Sequence, residues 1–137
     1  MAMPLYKVNN HYHPPALEEL QLIQKSIILP LALVVVERNR RELDRKARSL
    51  RAIFAKAADI IILRMKADLA ANTQLLVSKS IAVCTDNGTH NKLTYRFNCR
   101  GYEDRLTLTH EYIRNEINKQ ISAYNSELFA KHASTDS

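Results

Sequence analysis

The chain has 137 residues, and 46% of them are hydrophobic, which is enough apolar material for one domain with a buried core. Lys and Arg outnumber Asp and Glu by 20 to 14, so the formal net charge is +6. Only two glycines and four prolines occur, a composition that excludes a long disordered chain and favours long helices over a loop-rich sandwich.

The first part of the chain predicts an arm followed by helix. Residues 1–15 lack sustained periodicity and end in a proline pair, which is typical of a flexible arm. A helix is predicted from Ala16 to about Leu29, and Pro30 is expected to begin a new helix because proline is poorly tolerated in a helix interior. The apolar run Ile27–Val36 is too short to span a membrane, so we expect a buried segment.

From about Leu31 to Ala71 neither glycine nor proline interrupts the chain, which predicts one long helix or two nearly continuous helices. Apolar residues there alternate at steps of four and three, the heptad pattern of a helix seam: Leu43, Ala47, Leu50, Phe54, Ala57 and Ile61. A seam needs a partner helix. Either the same chain or a second copy in a homodimer supplies it.

The positive charge is concentrated in residues 38–51 (RNRRELDRKARSLR), a segment that contains seven basic and two acidic residues. Four arginines share one helix face, roughly opposite the seam: Arg38, Arg41, Arg45 and Arg48. Such a row offers forked donors to phosphate or carboxylate groups. The alternative interpretation is a solvated helix face that acidic side chains on neighbouring turns partly neutralise.

After Asn72 the pattern changes to short β-branched and aromatic segments, which predicts an antiparallel sheet of two or three strands within residues 80–109. Asn87-Gly88 indicates the first hairpin. For the second, a loop over residues 101–104 would place Phe97 opposite Leu108. Six side chains then form a buried face: Leu93, Tyr95, Phe97, Cys99, Leu106 and Leu108.

The other face of the sheet carries further positive charge. Arg96, Arg100 and Arg105, with Tyr102 in the loop, predict a second basic and partly aromatic surface of the kind on which single-stranded nucleic acids stack. The competing interpretation is an ordinary solvent face, which needs no function.

Thr109 is predicted to cap a last helix, with Glu111 in its first turn. An apolar stripe on this helix is expected to cover the buried face of the sheet: Ile113, Ile117, Ile121, Tyr124 and Leu128. The predicted fold class is therefore α+β. One domain spans residues 16–131, with helices over 16–72, the sheet over 80–109, a helix over 109–131 and a disordered tail over 132–137.

Metal and disulfide chemistry are not indicated. Cys84, His90, Cys99 and His110 are zinc-ligand types, but their separations match no familiar finger or ribbon. The first hairpin does not place the two cysteines opposite each other, so both are expected to be free thiols.

An enzyme is not expected, because the sequence has no glycine-rich phosphate loop, no GxSxG and no HExxH, and no cofactor is implied. A metal-dependent nuclease is the remaining catalytic alternative. It would draw on acids and histidines around the strands: Asp86, His90, Glu103, Asp104, His110 and Glu111.

We therefore expect a cytoplasmic, non-enzymatic accessory or regulatory protein that binds nucleic acid, or associates with nucleoprotein, through phosphate contacts of its basic helix. Base-specific reading by a helix-turn-helix is not expected, since no glycine precedes Gly88. The alternative is a protein-interaction module, a small inhibitor or adaptor of the kind that a phage or mobile element encodes. That module would bind an acidic protein surface and dimerise through its seam.

Overall fold

The computed structural model describes residues 14–46, 51–88 and 91–136, although the side chains of residues 44–46, 51, 87 and 131–136 lie outside the description. The predicted arm therefore falls outside it over residues 1–13. The elements in chain order are α1 (Leu17–Lys46), α2 (Arg51–Ser78), β1 (Ile81–Gly88), β2 (Lys92–Cys99), β3 (Tyr102–Thr109) and α3 (His110–Asp136). The strands form an antiparallel sheet in the order β1-β2-β3, so the predicted α+β layout is confirmed.

The first helix, α1, runs without interruption through Pro30, so the prediction of a new helix start at this residue is wrong. An interior proline cannot bond the carbonyl of the residue four positions earlier and costs roughly 3 kcal/mol or more. Burial of the flanking apolar side chains offsets this cost. Four of them are at most 4% exposed: Ile27, Ile28, Leu29 and Ala32.

The second hairpin differs from its predicted register. Phe97 pairs with Asp104 rather than Leu108, and Cys99 pairs with Tyr102. The connection is a two-residue turn, Arg100-Gly101, in which both φ angles are positive, as a type I′ turn requires. The loop was predicted too long because an Arg-Gly pair lacks the Asn or Asp that normally signals this turn.

The new register does not change which side chains share a face of the sheet. The partner of Phe97 differs from the predicted one by four residues along β3. Because four is an even number, every side chain lies on the face predicted for it. Phe97, Cys99 and Leu108 are buried, at 5%, 0% and 7% exposure. On the opposite face Arg96 and Arg105 are exposed.

The last helix, α3, begins as predicted, because the Thr109 hydroxyl oxygen accepts the backbone N–H of Tyr112 at 3.1 Å. It is longer than predicted, since it continues to Asp136 through most of the expected tail. Much of its apolar stripe lies in a helical cluster with Ile61 and Met65 and so contributes to a core of helices: Ile117, Ile121, Tyr124 and Leu128.

The described fold divides into two compact units. One contains the start of α1 up to Ile27 together with Ala71–Ile113, and the other contains Ile28–Ala70 and the chain from Arg114 onward. We call them the sheet unit and the helical unit. α1 and α2 each contribute to both units. The predicted single domain stays a prediction.

One segment of α1, Leu17–Leu43, is long and apolar enough to cross a membrane by length and composition alone. Core helices of soluble proteins pass the same test, so this is weak evidence for a membrane span. A third of the apolar window (33%) is buried within the protein. Ile23, Leu29 and Val36 are buried, whereas Leu17 and Val34 are exposed.

Candidate nucleic-acid interface

The C-terminal half of α1 presents two of the predicted arginines to solvent. Arg38 and Arg41 are exposed and lie one helical turn apart, about 4.5 Å along the axis. Val36 and Leu43 lie on the opposite side of the same helix, and Val36 is buried in the helical cluster. Packing of the apolar side therefore turns Arg38 and Arg41 outward, as the sequence pattern predicts.

A neighbouring arginine of α1 has a different role. The Arg40 side chain donates to the carboxylate of Asp59 on α2 at 2.9 Å. Glu37 lies near Lys66 of α2, with 3.9 Å between charged atoms. These pairs join the two helices, so the outward positive charge in this part of α1 comes from Arg38 and Arg41.

The predicted arginine row continues beyond the described side chains. Arg45 lies in α1 but its side chain is outside the description, and Arg48 falls in residues 47–50, which are outside it altogether. The continuation of the row to Arg45 and Arg48 stays a prediction.

On the open face of the sheet, Arg96 and Arg105 occupy directly opposite positions on β2 and β3. Two like charges at directly opposite positions of neighbouring strands repel each other. The carboxylate of Asp86 offsets this repulsion, because it lies 3.4 Å from the guanidinium of Arg105 and 3.9 Å from that of Arg96. These two arginines and Asp86 together carry a net charge of +1. Both arginines line a concavity of about 480 Å³, but Glu103 and Asp104 line it as well, so acidic and basic side chains are equal in number along its walls.

Arg100, predicted as part of that basic surface, is instead a structural residue. Its guanidinium donates two hydrogen bonds to the carboxylate of Glu19, at 2.9 and 3.0 Å, and a third to the backbone carbonyl of Lys79. These bonds tie the β2–β3 turn to the beginning of α1 and the end of α2, where a cation is also favoured by the helix dipole.

Glu19 was missed by the sequence reasoning. Its carboxylate accepts the backbone N–H of Ala16 at 3.0 Å and so caps the start of α1. The hydrogen bonds from Arg100 lower the pKa of Glu19 from 4.5 to about 2, and the bond from Ala16 acts in the same direction. An acidic residue three positions after Ala16, the predicted first residue of the helix, was the available signal.

Tyr102 is also separated from the basic surface. It pairs with Cys99, so it lies on the other face of the sheet from Arg96 and Arg105. Its hydroxyl donates to Asp104 at 3.3 Å, and the negative charge of Asp104 raises the pKa of Tyr102. The predicted stacking surface therefore loses its aromatic member.

The predicted seam is divided between two helices. Leu43 lies on α1, whereas Phe54, Ala57 and Ile61 lie on α2, and these four line one groove of the helical unit. Ile61 is 4% exposed and packs in the unit's own core. Its partner at this position is therefore the same chain. Ala47 and Leu50 are outside the described residues.

The two cysteines are free thiols, as predicted. Cys84 is exposed and pairs with Arg96 across the sheet, while Cys99 is fully buried and pairs with Ile81. Burial raises the pKa of the Cys99 thiol. The positive charge of Arg100 lowers this pKa, and the negative charge of Glu19 raises it. Among the residues that the structure describes, no cluster of three or more His, Cys, Asp or Glu side chains able to hold a metal is found. His90 lies outside them.

Comparison with known families gives one result. A family model described as YhjD protein matches residues 14–129, which takes in every helix and strand except the last turns of α3. No curated protein and no solved structure matches the chain.

Proposed function

The chain belongs to the YhjD protein family, and we propose that it is a non-enzymatic accessory protein that binds nucleic acid by its sugar-phosphate backbone. The proposed contacts are made by Arg38 and Arg41, with Arg45 and Arg48 continuing the row. The observation that supports this proposal is the orientation of α1, whose apolar side packs while Arg38 and Arg41 are exposed.

Charge distribution adds support. Residues 38–51 hold seven of the 20 basic residues, so a single short segment carries most of the excess positive charge. Arginine suits a phosphate contact because its planar fork donates two parallel hydrogen bonds. Successive arginines on one helix face follow a line, which fits an extended anionic strand better than a single small anion.

Arg96 and Arg105 are assigned a secondary part in the proposal. They lie in the sheet unit on an open face, but Asp86 already lies against both of them. Each additional anion must therefore compete with a carboxylate. Arg100 and Tyr102 are left out, because their side chains are engaged within the fold.

The test is a salt titration of binding to short single- and double-stranded DNA and RNA, followed by fluorescence anisotropy. The variant carries Arg38→Glu and Arg41→Glu. Loss of two phosphate contacts should weaken binding and reduce the slope of log K against log salt by about 0.9 per contact on duplex DNA, or about 0.7 on single strands.

A matched control carries Arg114→Glu and Lys119→Glu, two exposed positions on α3 that give the same change in net charge. Binding lost equally in both variants would mean that total charge, and not the α1 face, is responsible. No binding of wild-type protein at low salt would overturn the nucleic-acid proposal. Pull-down of an acidic protein that requires Arg38 and Arg41 would then establish the interaction-module alternative.

A further inference from the structure

Strand β1 forms one edge of the three-stranded sheet, and no strand within the described residues pairs with its outer side. An edge strand presents unpaired backbone N–H and C=O groups, which proteins protect with charges, bulges or a covering segment. The other edge strand, β3, carries three consecutive charged residues, Glu103–Arg105. In β1, by contrast, Ile81–Thr85 contains no charged residue, and Asp86 lies within the register shift at the far end of the strand. The edge of β1 is therefore the less protected of the two.

A concavity of about 300 Å³ in the sheet unit lies along the same strand, and we call it the edge concavity. Three residues on the buried face of β1 line one wall, Ile81, Val83 and Thr85, while Leu76 and Val77 of α2 line another. The described residues that line it are all uncharged. Val77 is 66% exposed, so this wall is open to solvent. A strand added beside β1 would direct every second side chain towards the edge concavity.

The N-terminal segment, residues 1–13, joins the described fold at the end of the sheet where β1 starts. Glu19, near the beginning of α1, accepts hydrogen bonds from the Arg100 guanidinium. The backbone N–H of Arg100 donates to the carbonyl of Ser80, the residue immediately before β1. Fully extended, the segment reaches about 43 Å, whereas the eight residues of β1 span about 26 Å. Its length and point of attachment are therefore sufficient to cover the whole edge.

We propose that the N-terminal segment pairs with the outer edge of β1 as a fourth strand, formed by Leu5–Asn10, and so shields this edge from other chains. The strand is antiparallel to β1, because a segment attached at the start of β1 must run back along it, and residues 11–13 bridge to Pro14. Since the segment belongs to the same chain, its effective concentration at the edge is about millimolar, above that of a second copy at micromolar concentration. This pairing goes beyond the proposed function and does not depend on it.

The residues of the segment suit the two faces that such a strand would have. Tyr6 and Val8 are two positions apart, so both lie on one face, where they cover the edge concavity and the exposed Val77. Lys7 then lies on the open face of the sheet. The segment contains no acidic residue, and Lys7 is its one charged side chain. The face that meets the uncharged walls of the edge concavity is therefore itself uncharged.

The experiment is amide hydrogen exchange of the full chain, followed residue by residue by NMR. The variant Tyr6→Pro/Val8→Pro removes two backbone donors from the proposed strand. Amides of Ile81–Thr85 that point away from β2 should exchange at least about tenfold faster in this variant than in the wild type. Amides of β1 that bond to β2 should stay protected in both proteins, which shows that the fold is intact. The matched control is Ala2→Pro/Met3→Pro, which adds two prolines outside the proposed strand and should leave the exchange unchanged.

A second measurement uses the exposed thiol of Cys84 on β1. Lys7→Cys places a thiol on the same open face, within reach of a disulfide across paired strands. With oxidised glutathione as the oxidant, the disulfide within one chain should form at least about tenfold faster than in the control Ala2→Cys.

Three results would overturn the proposal. The first is rapid exchange of the outer β1 amides in the wild type, or equal exchange in the two proline variants. The second is protection that increases with protein concentration, which would assign the edge to a second copy. The third is a disulfide that forms equally fast in Lys7→Cys and Ala2→Cys. Neither measurement involves nucleic acid, so its result is separate from that of the salt titration.

Discussion

Arg100 donates its backbone N–H to the carbonyl oxygen of Ser80 at 3.1 Å, and both residues hold positive φ angles, 53° and 56°. Positive φ angles are unfavourable for residues other than glycine. Ser80 follows the end of α2 and Arg100 opens the β2–β3 turn, so the bond joins two strained points of the sheet unit. The Arg100 guanidinium then extends to Glu19 on α1. One residue therefore links two helices with the tip of the hairpin.

Replacing Glu19 tests this link. Glu19→Gln removes the negative charge that receives the guanidinium of Arg100 and weakens the cap of α1, so the thermal midpoint should fall. Glu18→Gln is the matched control, because Glu18 is exposed in the same helical turn. Equal midpoints for the two variants in thermal unfolding would contradict the structural role of Glu19.

The pKa of Glu19 gives this variant a pH signature. Its folded-state pKa of about 2 lies below its usual value of 4.5, so ionised Glu19 stabilises the fold above pH 4.5. This contribution is lost as the pH falls from 4.5 towards about 2. The midpoint difference between wild type and Glu19→Gln should therefore be largest near neutral pH and narrow in acid, and a difference that stays constant with pH would argue against the ion pair.

Asp86 is predicted to hold the two arginines of the open sheet face together. Asp86→Asn leaves Arg96 and Arg105 directly opposite each other without a counter-charge, and we expect a loss of about 0.2–1 kcal/mol in unfolding free energy. Added salt should reduce that loss by screening. Chemical denaturation at low and high salt measures both effects.

The double variant Asp86→Asn/Arg105→Thr supplies the control. With one arginine removed, the repulsion disappears, so most of the stability lost in Asp86→Asn should return. If the two substitutions act independently, the double variant should be less stable than Asp86→Asn by the same amount that Arg105→Thr alone costs the wild type. That result would show that the charges are not coupled.

The sequence predicted the periodic parts of the fold well. The faces of the sheet and the outward position of Arg38 and Arg41 follow from spacing, since a period of two or of 3.6 depends only on backbone geometry. Pro30 could not be placed correctly, because burial of residues far along the chain decides whether an interior proline is tolerated. The role of Arg100 was also hidden, since its partner Glu19 is 81 residues away.

The two cysteines should differ in reactivity toward a thiol reagent. Cys84 is exposed on the open sheet face, while Cys99 is fully buried and its pKa is raised, which disfavours the reactive thiolate. In native protein one thiol should react promptly, and in denatured protein both should react. Cys84→Ser should abolish the prompt reaction. Prompt reaction of Cys99 in this variant would mean that the buried face of the sheet opens readily.

Tyr124 on α3 donates a hydrogen bond from its hydroxyl to the carboxylate of Asp68 on α2. Tyr124→Phe removes the donor from a half-buried carboxylate and should cost about 1–3 kcal/mol in unfolding free energy. Tyr112→Phe is the matched control, because Tyr112 is 39% exposed and its hydroxyl accepts a hydrogen bond from Gln24 near the surface. The control should cost less than about 0.5 kcal/mol.

Alkaline titration distinguishes this hydrogen bond from simple packing. Burial, reinforced by Asp68, raises the pKa of Tyr124 above its usual value of 10. The protonated tyrosine therefore contributes stability that is fully present below pH 10 and is lost as the pH rises from 10 towards the raised value. Wild-type stability should fall more steeply above pH 10 than that of Tyr124→Phe. Parallel curves would assign the cost of the substitution to packing alone, because a phenylalanine has no proton to lose.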